Sequence, residues 1–98
     1  MIYHDTSAAE WKAAQEKGQY EAASLPLEGF IHASADARQT EGVLQRYFAG
    51  QPNLVKLHID ESKLTHELKW ELAPSVNEEF PHIYGPINLD AVVKVEPV

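Results

Sequence analysis

Alternation of apolar and polar residues is clearest at Leu54-Val55-Lys56-Leu57-His58-Ile59, where Val55, Leu57 and Ile59 share one face and Lys56 and His58 the other. Leu68, Trp70 and Leu72 alternate with Lys69 and Glu71 in the same way, so the two segments predict a hairpin with a wide connection over Asp60 to Glu67. Helical spacing takes over in two places. From Ala8 to Lys17 good helix formers dominate, Ser7 and Glu10 have the spacing of a capping box, and Gly18 suits a left-handed stop. From Ala35 or Asp36 to Ala49, the residues Val43, Leu44, Tyr47 and Phe48 form an apolar stripe, with Ser34 as the cap and Gly50 as the stop.

The remaining stretches are shorter. Ile2 to His4 reads as a first strand, and Gln19 to Ala23 fits either a short strand or an irregular connection. Leu25-Pro26 interrupts the chain before a strand over Gly29 to Ser34. Pro74 to Glu79 reads as a polar loop, Phe80 to Ile87 as a strand, and Ala91 to Val95 as a closing strand before Pro97. Helices early and antiparallel-capable strands late predict a single α+β domain over residues 1–98, with two helices packed on a mostly antiparallel sheet. Trp11, Val43, Phe48, Val55, Leu57, Ile59, Trp70 and Leu72 are the expected core.

Charge removes one class of partner. Fifteen Asp and Glu against eight Lys and Arg give a net charge of −7, with basic residues scattered singly from Lys12 to Lys94. No basic track exists for a phosphate backbone, so extended nucleic-acid binding is excluded, while a single phosphorylated ligand at a helix terminus stays compatible. Cysteine is absent, which rules out disulfides and thiolate metal sites and suits a reducing cytoplasm. The start Met1-Ile2-Tyr3-His4-Asp5 has neither a basic region nor a long apolar run, so no signal peptide or membrane helix is expected.

Candidate chemistry gathers at two stretches of like pattern. In Gly29-Phe30-Ile31-His32-Ala33-Ser34, strand geometry sets Phe30, His32 and Ser34 on one face; in Phe80-Pro81-His82-Ile83-Tyr84-Gly85 it does the same for Phe80, His82 and Tyr84. We read them as two walls of one pocket beside the amino end of the second helix. His32 and His82 are the expected acid/base or ligand-orienting groups, with a satisfied strand histidine as the alternative. Ser34 is first a helix cap and only secondarily a nucleophile, and a capped helix start would offer free amides to an anion. His4 joins the pocket if its strand runs alongside, and Phe30 or Tyr84 would stack on a base. Glu71, beside Trp70, either orients a ribose or an imidazole or is a solvated carboxylate. His58 and His66 read as exposed hairpin residues. His4, His32 and His82 lack the spacing of a metal signature, which makes a metal-dependent enzyme the weakest option. No Ser-His-Asp order, phosphate-binding glycine loop or dinucleotide fingerprint is present.

Ile2-Tyr3-His4, Trp11, Gly29 to Ser34, Trp70-Glu71 and Phe80 to Gly85 together resemble the bacterial family called domain of unknown function 952, over nearly the whole chain. That family's fold is similar to a reduced ADP-ribosyltransferase fold, in which a split sheet clasps nicotinamide adenine dinucleotide (NAD). The resemblance implies that His4 corresponds to the first-strand histidine of those transferases and Gly29 to Ser34 to their second conserved strand. It departs at the third element, a late-strand glutamate, where this chain offers His82 and Tyr84, with Glu79 or Glu71 as the nearest carboxylates. Three functions follow as expectations: a nucleotide-handling, transferase-type enzyme with NAD as ligand; a non-catalytic ligand-binding or protein-interaction module; and, last, a metal-dependent enzyme.

Overall fold

The computed structural model describes every residue from Met1 to Val98. The Ser7 side chain accepts from the Glu10 amide at 3.1 Å, which ends the first strand, β1 (Ile2–Ser7), and starts α1 (Ala8–Lys17). Only half of the capping box forms, because the Glu10 carboxylate takes the Thr6 hydroxyl at 2.9 Å. Gly18, at φ 98°, closes α1 in the left-handed region that favours glycine. The chain continues through β2 (Gln19–Tyr20), α2 (Ser24–Glu28), β3 (Ile31–His32), α3 (Ala37–Tyr47), β4 (Leu54–Ile59), β5 (Leu68–Ala73), β6 (Glu78–Ile83), β7 (Ile87–Asn88) and β8 (Val92–Pro97). Short 3-10 turns at Glu61–Lys63 and Leu89–Ala91 fill the connections.

All strand pairings are antiparallel. One sheet has the order β1-β4-β8, a second β3-β6-β5, and β2 pairs with β7 alone. The two larger sheets meet at a single bridge, where Tyr3 and Ser34 exchange backbone hydrogen bonds of 2.8 and 2.7 Å. The architecture is therefore α+β on a split antiparallel sheet. It carries three helices rather than the expected two. The extra one, α2, contains Pro26 in its first turn, where a helix leaves the amide unbonded and the fixed φ of proline costs nothing.

Ile2, Tyr20, Ile31, Leu57, Ile59, Ile83 and Ile87 are essentially sealed from solvent and form the centre of the core. Trp11 and Val55 pack on it at the margin. Trp70 and Leu72 were expected inside, yet they are 46% and 55% exposed. The register explains this: β5 is an edge strand whose Leu68 faces Ile83 and the core, while Trp70 opposite Pro81 and Leu72 opposite Glu79 run past the end of it. Nor do β4 and β5 form a hairpin, since they belong to different sheets. Val43 and Phe48 are half-buried along a cavity rather than in the core.

Three local expectations also change. Asp36, not Ser34, caps α3, its Oδ1 accepting from the Gln39 amide at 2.9 Å; Ser34 is held in the bridge to Tyr3 two residues too early to reach that turn. The Phe80 to Ile87 strand breaks at Tyr84-Gly85-Pro86, just after the Tyr84 amide makes a last bond in the β5–β6 register, to the Glu67 carbonyl at 2.8 Å. The His66 ring lies so close over Gly85 that any Cβ there would overlap it, and His66 Nδ1 donates to the Pro86 carbonyl at 3.0 Å. His58 is half-buried rather than exposed, edge-on to Tyr3 at 5.1 Å and 3.1 Å from Glu96.

Urea melts test these assignments. Asp36→Ala should cost about 1 kcal/mol, the typical value of an N-cap. Leu57→Ala should cost about 2 to 5 kcal/mol as a cavity in the core, whereas Trp70→Ala should cost less than about 1 kcal/mol.

Candidate functional site

Beyond the Tyr3–Ser34 bridge β1 and β3 part, and the space they leave opens into a cavity of about 670 Å³. One side is β1, through His4 and Asp5, and another is the polar face of the second sheet, through His32, Phe80 and His82. The remaining walls come from α2, from the carboxyl-terminal half of α3 with Arg46, from Phe48 just after it, and from Ala73, Ser75 and Val76 where β5 turns into β6. The amino end of α3 is not part of it, so the expected anion site on that helix start has no counterpart here. Arg46 is the cation on the cavity wall.

His32 and His82 are paired across β3 and β6 and project from the same face, with ring centroids 5.2 Å apart. A carboxylate stands behind each. His82 Nδ1 donates to Glu71 Oε1 at 2.8 Å, and the Tyr84 hydroxyl donates to the same oxygen. This fixes the tautomer and leaves Nε2, which makes no hydrogen bond within the chain, as the free nitrogen of a buried ring. Tyr84 and then His82 hold the Glu71 carboxyl below its ordinary range, while Glu71 pushes the Tyr84 phenol up. Phe30 stacks on His82 at 4.1 Å with the planes 17° apart, fixing its tilt. Phe30, Glu71 and Tyr84 thus stand behind His82 rather than on the cavity wall. His32 is more open, and Glu28 Oε2 lies 2.9 Å from its Nε2.

His4 lines the cavity but has both nitrogens engaged. Nδ1 donates to the His32 carbonyl at 2.5 Å, and Nε2 meets the Tyr20 hydroxyl at 2.8 Å, itself 3.0 Å from Thr6 Oγ1. Loss of solvent pulls its pKa down to about 4, so the ring is neutral at physiological pH. Its role in this arrangement is to tie β1 to β3. No cluster of three or more His, Asp or Glu side chains is placed to hold a metal ion. Of the late-strand carboxylates, Glu79 lies opposite Leu72 on the core-side face, past the end of the core, and Glu71 opposite Phe80 on the cavity side.

Asp5 was missed, because the first strand was expected to stop at His4. It is 5% exposed and lines the cavity; its Oδ1 has one long contact, 3.4 Å to the Thr40 hydroxyl, and its Oδ2 has none. Burial pushes its pKa up to about 6 against the lesser opposing effects of Thr40 on α3 and Lys56 on β4. Extending the strand to Ser7 puts Asp5 on the face of Tyr3, opposite Ile2 and His4, so alternation alone gives no sign of its burial.

Adjacent residues therefore respond to pH in opposite senses. Asp5 rises from 3.8 to about 6, so its contribution to stability is complete at low pH and is lost as pH climbs through the folded value. His4 falls from 6.5 to about 4, so its contribution is present above the unfolded value and is lost as pH drops through the folded one. In the window between, the two slopes oppose. Asp5→Asn should exceed the parent in stability by about 2 kcal/mol at neutral pH and above, with the difference vanishing in acid below the unfolded Asp pKa. Urea melts of both proteins across this range measure it, and equal stability at neutral pH would overturn the assignment.

No curated protein matches the chain. Solved structures do. The crystal structure of protein CC0527 from Caulobacter crescentus is 37% identical, covers 98% of this chain and 83% of its own, and superposes with a TM-score of 0.88. A double-mutant crystal structure of the same protein gives 36% identity, the same coverage and a TM-score of 0.87. Its solution NMR structure gives 37%, 99% and 83% coverage, and 0.82. The family model described as "Protein of unknown function (DUF952)" matches residues 5–95, which span both site stretches, and the chain belongs to that family.

Proposed function

We propose that the cavity binds a nucleotide-like small molecule, with NAD as the first ligand to test, and that His82 exchanges a proton with it while His32 orients it. The observation that carries this reading is His82 itself: a buried imidazole on the cavity wall, locked by Glu71 and Phe30, with Nε2 free. A volume of about 670 Å³ falls in the range of small-molecule sites. Aromatic side chains line it, and Arg46 is at hand for an anionic group.

An ADP-ribosyltransferase-like fold is part of the proposal, supported by the split antiparallel sheet with a cavity where the halves part. Classical ADP-ribosyl transfer calls for a carboxylate that binds the ribose and stabilises positive charge as nicotinamide leaves. Glu79 faces away, and Glu71 is occupied by His82 and Tyr84. That occupancy favours a second reading, a ligand-binding or protein-interaction module without turnover. The metal-dependent reading has no support, since both nitrogens of His4 are taken.

Thermal shift against NAD, ADP-ribose, nucleoside monophosphates and nicotinamide tests binding. A ligand at 100 times its dissociation constant should stabilise the protein by about 2.7 kcal/mol. His82→Ala should lose that increment, and Glu71→Gln should weaken it through the tautomer. No stabilisation by any member at saturation would refute the proposal. Proton NMR of a mixture with NAD separates the two readings: released nicotinamide marks the enzyme, and binding without release marks the module.

A further inference from the structure

Asp5, on the cavity wall, carries the one buried side-chain polar atom that the fold leaves without a hydrogen-bond partner. Oδ2 is sealed from solvent without a hydrogen-bond partner, in a residue only 5% exposed. An orphaned buried carboxylate oxygen costs on the order of 1 to 3 kcal/mol, and more when charged. The structure around it offers no donor: Thr40 Oγ1 is 3.4 Å from the other oxygen, and Lys56, across the ladder, pairs with Glu96 at 3.8 Å and lies over the Tyr3 ring. Asp5 nonetheless lines the cavity, so its carboxyl belongs to the wall that a ligand would touch.

The surroundings select what would meet it. Asp5 and Glu28 give the cavity two carboxylates, in a chain of net charge −7, while Phe48 and Phe80 supply flat apolar walls. An anionic group beside Asp5 would be repelled. A flat ring carrying an N–H, neutral or cationic, would satisfy the orphaned oxygen and lie against the aromatic walls.

We propose that Asp5 is the recognition residue of this cavity and that it accepts a hydrogen bond from an amide, amino or amidinium group on a flat ring. This rests on the reading of the cavity as a ligand site, but not on the ligand being a nucleotide. Arg46, also on the wall, has the opposite preference, so the ligand this cavity fits combines a donor-bearing ring with an anionic group.

The test uses benzamidine, benzamide and benzoate, three probes of one shape that differ in charge and donors, on the full chain. Titrations followed by carbonyl-carbon NMR should show benzamidine and benzamide moving the Asp5 carboxyl resonance, with benzoate bound at least about tenfold more weakly. In Asp5→Asn, the benzamidine affinity should fall by about tenfold, roughly 1.4 kcal/mol. The assignment is overturned if benzoate binds as well as benzamidine, if no probe binds, or if Asp5→Asn leaves the affinities unchanged. NAD distinguishes this inference from the wider reading. If NAD binds parent and Asp5→Asn alike, the role of Asp5 fails and the nucleotide reading stands. If benzamidine binding depends on Asp5 while NAD and ADP-ribose do not bind, the reverse holds.

Discussion

Two backbone hydrogen bonds, exchanged between Tyr3 and Ser34, join the halves of the sheet, and the cavity exists because the ladder goes no further. On one side of them β1 continues in its pairing with β4, and on the other β3 pairs only with β6. His4 extends the seam by one side-chain bond to the His32 carbonyl, made with a neutral ring because burial disfavours the charged form. The strands then separate, and the gap is closed by helices rather than by more ladder. A longer pairing would have removed both the gap and its chemistry.

The second sheet supports core and site at once through the strand pleat. Ile31, Ile83 and Leu68 face one way into the core, and His32 and His82 face the other. The apolar face fixes the register, since a slip of one residue would exchange the two sets. The position of the histidines is thus set by isoleucines that never touch a ligand. Behind His82, the bonds to Glu71 and the stack on Phe30 lock the ring in two directions, along its nitrogen axis and across its plane.

Sequence pattern carried some of this and not the rest. Helix α1 was legible because Ser7 and Gly18 act locally, and β4 because its alternation answers to a core on one side only. The pairing of His32 with His82 was legible as matched spacing. β5 misled because its apolar residues alternate correctly but extend beyond the core, which is a property of sheet position rather than of residues 68–73. Helix α2 was hidden by a proline that is disruptive inside a helix and harmless in its first turn. Ser34 and Asp36 are both good caps, and only the bridge to Tyr3 decides between them. Asp5 was obscured by a strand end drawn too early and by its place on the face of Tyr3, where alternation gives no sign of burial.

His66 and Gly85 extend the influence of the site into a part of the chain that carries no site residue. The His66 ring occupies the place where any other residue at 85 would carry its Cβ, and next to it the Glu67 carbonyl holds the Tyr84 amide. Tyr84 in turn bonds the carboxylate that steadies His82. The surface loop before β5 therefore works as an outside brace on the histidine. A change at position 66 or 85 would pass along this chain to the imidazole, so the mutational footprint of this small site is wider than its wall.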